Sequence, residues 1–175
     1  MKEIKDYFPK AFLGRQGTTF EALKTRLETV GNDFVTALDE ADDETLYAPV
    51  AEGKWSPAEI ADHLVRANRL FSRALDAALS GEEMVEMPRG KVTDDGRPIA
   101  PTEEEPESDR ARAELTEDFT ASVDELSQFG ARMQSEGKLE QDCLDHSFFG
   151  PMTGLEVLQL AAWHVRHHTK QLSHR

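Results

Sequence analysis

Three of the six histidines in this 175-residue chain fall in one short run, His164-Val165-Arg166-His167-His168. On an α-helix, positions four apart differ by about 40° around the axis and by one turn along it. His164 and His168 can therefore offer ring nitrogens to a single ion. They share an apolar face with Val157, Leu160, Ala161 and Gln171. His167 is turned about 100° from its neighbour, toward a flank, and remains the rival for the ligand position on this helix. A further histidine, His63, stands between Ile60 and Ala67 on another apolar stripe, where leucine would be expected. A buried imidazole needs partners: a carbonyl or carboxylate satisfies it, and so does a metal, which uses its lone pair.

Three neutral imidazoles suit zinc, nickel, iron or copper, and three protein ligands leave a coordination position for water or substrate. An ion so held acidifies water toward neutrality, polarises a carbonyl or binds a thiolate. Other side chains offer less. Glu59 is better explained as a helix cap, and Asp62 is expected off the inward face, so neither is a persuasive general base. Cys143 adjoins Asp142, with no basic neighbour to lower its pKa, and reads as structural. Asp145-His146 has the look of a dyad but falls in a turn-rich stretch. Trp55 and Trp163 read as core or pocket-wall residues, Gln171 as a ligand-orienting or solvated helix-end residue, and His174 as frayed.

Helices must position these groups. After Thr18-Thr19, a stripe of Phe20, Leu23, Leu27, Val30, Phe34, Val35 and Leu38 predicts a first helix ending near the acidic turn Asp39–Glu44. Residues 45–55 form a connector. Ser56, Pro57 and Glu59 then supply N-cap, N1 and capping-box partner for a second helix that Ser80-Gly81 stops. Its apolar face runs through Ile60, His63, Leu64, Ala67, Leu70, Phe71 and Leu75. Residues 81–107 carry Pro88, Gly90, Gly96, Pro98, Pro101 and Pro106, which break regular structure, and Glu103–Glu105 reads as a solvated charge run. This segment is expected to be a crossover strap rather than a flap. A third helix is predicted from about Ser108 to Ser135, with Ala111, Leu115, Phe119, Val123, Leu126, Phe129 and Met133 inward and Gly137 as its stop. The connector 138–152 leads to a fourth helix opened by a second capping box, Thr153 and Glu156. No β-type alternation of any length competes, so one all-α domain over 1–175, a four-helix bundle, is expected.

Composition sets limits on partners. The formal charge is −14, from 34 acidic against 20 basic residues, with no local basic cluster. Nucleic acid and anionic membranes would both repel such a chain. No apolar run approaches the length of a membrane span, and the N-terminus does not read as a signal peptide. A single cysteine suits a reducing cytoplasm.

The segments GKWSPAEIADHLVRAN and HSFFGPMTGLEVLQLAAWHVRHHTKQ resemble the DinB/YfiT-like superfamily. There a Trp-Ser cap precedes one ligand helix, and a glycine-containing turn, a Thr cap and an H-x-x-x-H-x-x-Q run form the other. Here these are Trp55-Ser56, His63, the turn at His146–Gly150, Thr153, His164, His168 and Gln171. The resemblance implies a four-helix bundle of that type with a long connector between helices 2 and 3. It also implies a divalent ion on His63, His164 and His168, and so chooses against His167. Zinc or nickel is the expected cofactor, with iron and manganese also compatible. Relatives include thiol S-transferases of the bacillithiol type and presumed hydrolases. The implied function is a metal-dependent transferase or hydrolase acting on a small molecule such as a low-molecular-weight thiol, in a homodimer. The alternative is a non-catalytic metal- or ligand-binding protein of stress response.

Overall fold

The computed structural model describes residues 1–107 and 109–172. Ser108, where the third helix was expected to open, and His174 lie outside the described residues. In chain order the elements are β1 (Lys2–Glu3), a 3-10 helix (Ala11–Gln16), α1 (Phe20–Asp39), one helical turn α2 (Asp43–Leu46) and α3 (Pro57–Ser80). They continue with β2 (Val85–Glu86), β3 (Lys91–Val92), β4 (Pro98–Ile99), a 3-10 turn (Thr102–Glu104) and α4 (Arg112–Ser135). β5 (Asp142–His146), β6 (Gly150–Thr153) and α5 (Gly154–Leu172) complete the chain.

Both histidine-bearing helices start at reciprocal caps. The Glu59 amide donates to Ser56 Oγ at 3.2 Å, and the Ser56 amide donates to Glu59 Oε2 at 2.7 Å. Thr153 and Glu156 repeat the exchange before α5, at 3.0 and 3.3 Å. Each box satisfies amide donors that a helix start otherwise leaves unpaired. Gly81 ends α3 at φ +72°, a left-handed cap that other residues adopt at a cost.

The four long helices form a four-helix bundle with the neighbours α3–α4–α1–α5 around its circumference. α3 lies against α4 and α5, and α1 lies against α5 and α4. Helices consecutive in sequence are therefore not always neighbours, since α1 and α3 face each other diagonally, as do α4 and α5. Their shared core includes Leu27, Phe34, Leu64, Phe71, Leu115, Phe119 and Leu158. At Gly130 of α4 a Cβ would stand 2.6 Å from the Phe20 ring and 3.0 Å from Leu158, so the missing side chain is what admits α1 and α5 so closely. The adjacency of α3 and α5 is what carries the functional consequence.

Two expectations about the connectors need correction. Among the described residues, six short strands form two three-stranded sheets, β1-β3-β4 and β2-β5-β6. β5 and β6 are an antiparallel hairpin with Leu144 opposite Met152, and β2 runs parallel to β5. Strands of two to five residues are too short to display a period-2 pattern. α4 also starts late: Ala111, expected inward, is its exposed N-cap in extended conformation. The side chains of Glu107 and Arg110, ahead of this start, reach back to α3.

Candidate metal centre

α3 presents His63 inward from its second turn, and α5 presents His164 and His168 from successive turns of the facing side. The three imidazoles converge: their ligand nitrogens lie within 4.8 Å of one another. His63 Nε2 and His168 Nε2 each stand 3.1 Å from His164 Nε2. Nitrogens bound to one ion at about 2.0–2.1 Å stand about 2.8–3.4 Å apart as the angle widens from right to tetrahedral. The spacing fits a shared ion.

The far side of each ring decides how well the donor set fits. His63 Nδ1 donates to the Glu104 carbonyl at 2.9 Å, and His168 Nδ1 donates to Gln171 Oε1 at 2.9 Å. Both acceptors can only accept, so both rings carry their proton on Nδ1 and leave an Nε2 lone pair facing the centre. His164 can donate one N–H to one of these lone pairs. A single N–H cannot point at both, so one lone pair is left without a proton, whereas one cation would satisfy all three with His164 in its Nδ1–H form. His164 Nδ1 is buried with no hydrogen-bond partner.

Burial keeps the rings neutral. It lowers His63 to about 4 and His168 to about 3, with the neighbouring imidazoles adding repulsion at His168. His164 falls well below its ordinary value, through burial first and then repulsion from His168 and His63. Neutral imidazoles are the ligand form at pH 7. His63 and His168 are 3% and 7% exposed, and His164 retains more accessibility. Trp55 covers the pair from one side, its ring centroid 4.7 Å from His63 and 6.5 Å from His168. Trp163 lies parallel to His164 at 6.4 Å. His167 is exposed and stacks on Trp163 at 5.0 Å, outside the trio.

The remaining candidates resolve individually. Glu59 is the α3 cap. Asp62, expected off the inward face, is instead 1% exposed beneath the connector. Burial alone would raise its carboxyl, but the Glu107 amide, Arg110 and Arg66 together hold it below the usual range. It is thus committed to ion pairs and stays ionised. Cys143 is buried and its thiol is pushed up to about 12, by burial first and then by Asp142 and Glu156. His146 Nδ1 accepts the Phe148 and Phe149 amides at 3.1 and 3.4 Å, which shapes the hairpin turn, while Asp145 receives the Tyr7 hydroxyl at 3.3 Å. No dyad forms between the two. Glu104 was missed: it reads as one member of a solvated run, yet it is 5% exposed, and its carbonyl anchors His63. Nothing local distinguishes it from Glu103 and Glu105.

A model of the DinB superfamily matches residues 26–172. Among solved structures, TT2238, a four-helix bundle protein, superposes with a TM-score of 0.66 at 22% identity, over 90% of this chain and 100% of that one. YfiT from Bacillus subtilis, a probable metal-dependent hydrolase with an unusual four-helix bundle topology, gives a TM-score of 0.66 at 15% identity, over 97% of this chain and 91% of its own. A search of curated proteins finds no match. At these identities the two structures speak to the fold alone. Among the described residues, no helix is long and apolar enough to cross a membrane.

Proposed function

The chain belongs to the DinB superfamily, and from that premise we propose that it is a metal-dependent enzyme with a divalent ion on His63, His164 and His168. The observation that carries this reading is the convergence of three neutral Nε2 atoms, two of them fixed in the ligand tautomer from behind. Zinc or nickel is the expected ion, with iron and manganese next, because neutral imidazoles favour the later first-row metals. An ion held there would supply Lewis acidity, acidifying a coordinated water or thiol and polarising a carbonyl.

The chain's own residues have narrower tasks. The Glu104 carbonyl and Gln171 hold the protons of His63 and His168 on Nδ1, and Trp55 keeps water from their side of the centre. Cys143, the single cysteine, is buried with a raised pKa, so it is a poor nucleophile. The proposal takes its nucleophile from outside the protein: water for a hydrolase, or the thiolate of a low-molecular-weight thiol for an S-transferase. The proposal extends to a small-molecule substrate, a homodimer and a cytoplasmic setting, the last supported by the lone reduced cysteine.

Elemental analysis of protein purified without an affinity tag should find about one divalent ion per chain. Activity is then sought by pairing thiols with a generic electrophile, alongside amide and ester substrates. His164→Ala is expected to remove both metal and activity together; turnover that survives the loss of metal would overturn the proposal.

A further inference from the structure

Asp62 and His63 are consecutive on α3, and each grips the same stretch of connector. His63 Nδ1 donates to the Glu104 carbonyl at 2.9 Å, and the Glu107 amide donates to Asp62 Oδ2 at 2.8 Å. Asp62 also receives Arg66 Nε at 2.7 Å and Arg110 Nη1 at 2.9 Å. Arg110 continues to Asp118 of α4 at 2.6 Å, and its own carbonyl accepts the Tyr47 hydroxyl at 3.1 Å. Further along α3, Arg66 and Arg73 hold Glu107 and Glu103 at 2.8 and 3.0 Å. The ion pairs therefore bracket Glu104 on both sides. Its side chain is buried between them, with Oε1 unpartnered.

These groups line a cleft of about 390 Å³ containing Arg66, Arg69, Arg73 and Arg110. Four guanidiniums in a chain of charge −14 invite an anion-binding reading. However, each already pairs with a carboxylate of Asp62, Glu103, Glu107 or Asp118, so the cleft has no net charge to offer. What the pairs do is bind the connector to α3 and α4.

We propose that Glu103, Glu104, Glu107 and Arg110 form a clamp that positions the metal site. The ion pairs centred on Asp62 hold the Glu104 carbonyl against His63, which fixes that ring as its Nδ1–H tautomer with the Nε2 lone pair aimed at the centre. Asp62, Arg66 and Arg110 are on this view positioning residues, acting through His63. A ring released from the carbonyl divides its proton between both nitrogens and loses part of its ligand form. Outer partners of this kind are typically worth about 10–100-fold in metal affinity. The inference rests on the proposed metal site, but its first readout requires no metal.

The test follows the imidazole nitrogens of the metal-free protein by two-bond proton–nitrogen NMR, alongside zinc affinity by competition with a chromophoric chelator. In the wild-type protein His63 should show a single Nδ1–H tautomer. Asp62→Asn is expected to give mixed tautomers and at least about ten-fold weaker zinc binding. Should that buried change prevent folding, Glu103→Gln with Glu107→Gln removes two exposed clamp charges. This pair should weaken zinc several-fold at low salt and match wild type in about 1 M salt, where charges are screened within about 3 Å. A wild-type His63 protonated on Nε2 or exchanging between forms would overturn the clamp. So would folded variants that retain the wild-type tautomer and affinity. If the wild-type tautomer is fixed but zinc does not bind, the proposed function fails while the clamp stands on the nitrogen signals.

Discussion

At the scale of single residues, the centre depends on what lies behind each imidazole as much as on the imidazoles themselves. Gln171 fixes His168 through a single 2.9 Å hydrogen bond at the end of α5. Gln171→Ala should leave the fold intact and weaken metal binding about ten-fold, as read by chelator competition; an unchanged affinity would mean that helix geometry alone orients the ring. Cys143 makes a separate prediction. Its thiol is buried and pushed up to about 12, so a disulfide exchange reagent at pH 8 should leave the native protein unmodified and label one thiol per chain after denaturation.

At the scale of elements, the hairpin β5–β6 aligns α5 by delivering the chain to its cap. Its turn places Gly150 at φ +69°, where a Cβ would stand 2.7 Å from the Tyr7 ring. Gly150→Ala therefore meets both a backbone penalty of about 1–2 kcal/mol and a steric one. Gly96 has φ +86° and a Cβ added there would find no atom within 4 Å, so Gly96→Ala meets only the first. Urea unfolding of the two variants should show the larger loss at Gly150, and the difference measures how firmly the N-terminal segment is held against the hairpin.

At the scale of the whole molecule, buried neutral histidines set the response to acid. Burial lowers His146 to about 4 from the ordinary 6.5. The unfolded chain therefore takes up protons that the folded one resists. The sign follows: this contribution is fully present above pH 6.5 and is lost as pH falls from there toward 4. For His146 alone it amounts to roughly 3 kcal/mol, and His63, lowered to about 4 in the same way, adds to the same window. Burial, with Glu103 beside it, raises the Glu104 carboxyl to about 7, so that group gains stability as pH falls and offsets about one histidine. With His63 and His146 both lowered, denaturant midpoints of the metal-free protein should still fall between pH 6.5 and 4. His146→Asn should flatten that fall, and an unchanged slope would show that the loss arises elsewhere.

Much of this protein is legible in its sequence because its signals are local. Capping boxes at Ser56 and Thr153 and apolar periodicity locate the helices that carry the histidines, and a one-turn spacing aligns His164 with His168. The apolar stripe of the second helix supplies His63, and the family resemblance sets aside His167. What the sequence leaves open depends on contacts between distant segments. The adjacency of α3 and α5, on which convergence rests, follows from packing around a core, and connectors of these lengths permit other orders. Asp62 falls on the outward side of a lone amphipathic helix, but it becomes buried because the connector crosses it and supplies charge-assisted hydrogen bonds from Glu107 and Arg110, beside that of Arg66. Glu104 looks like its solvated neighbours until tertiary structure lays its carbonyl on His63. Periodicity records which face of a helix meets the core, whereas the lone pair directed at the centre is fixed by a hydrogen bond that His63 donates to a carbonyl 41 positions away.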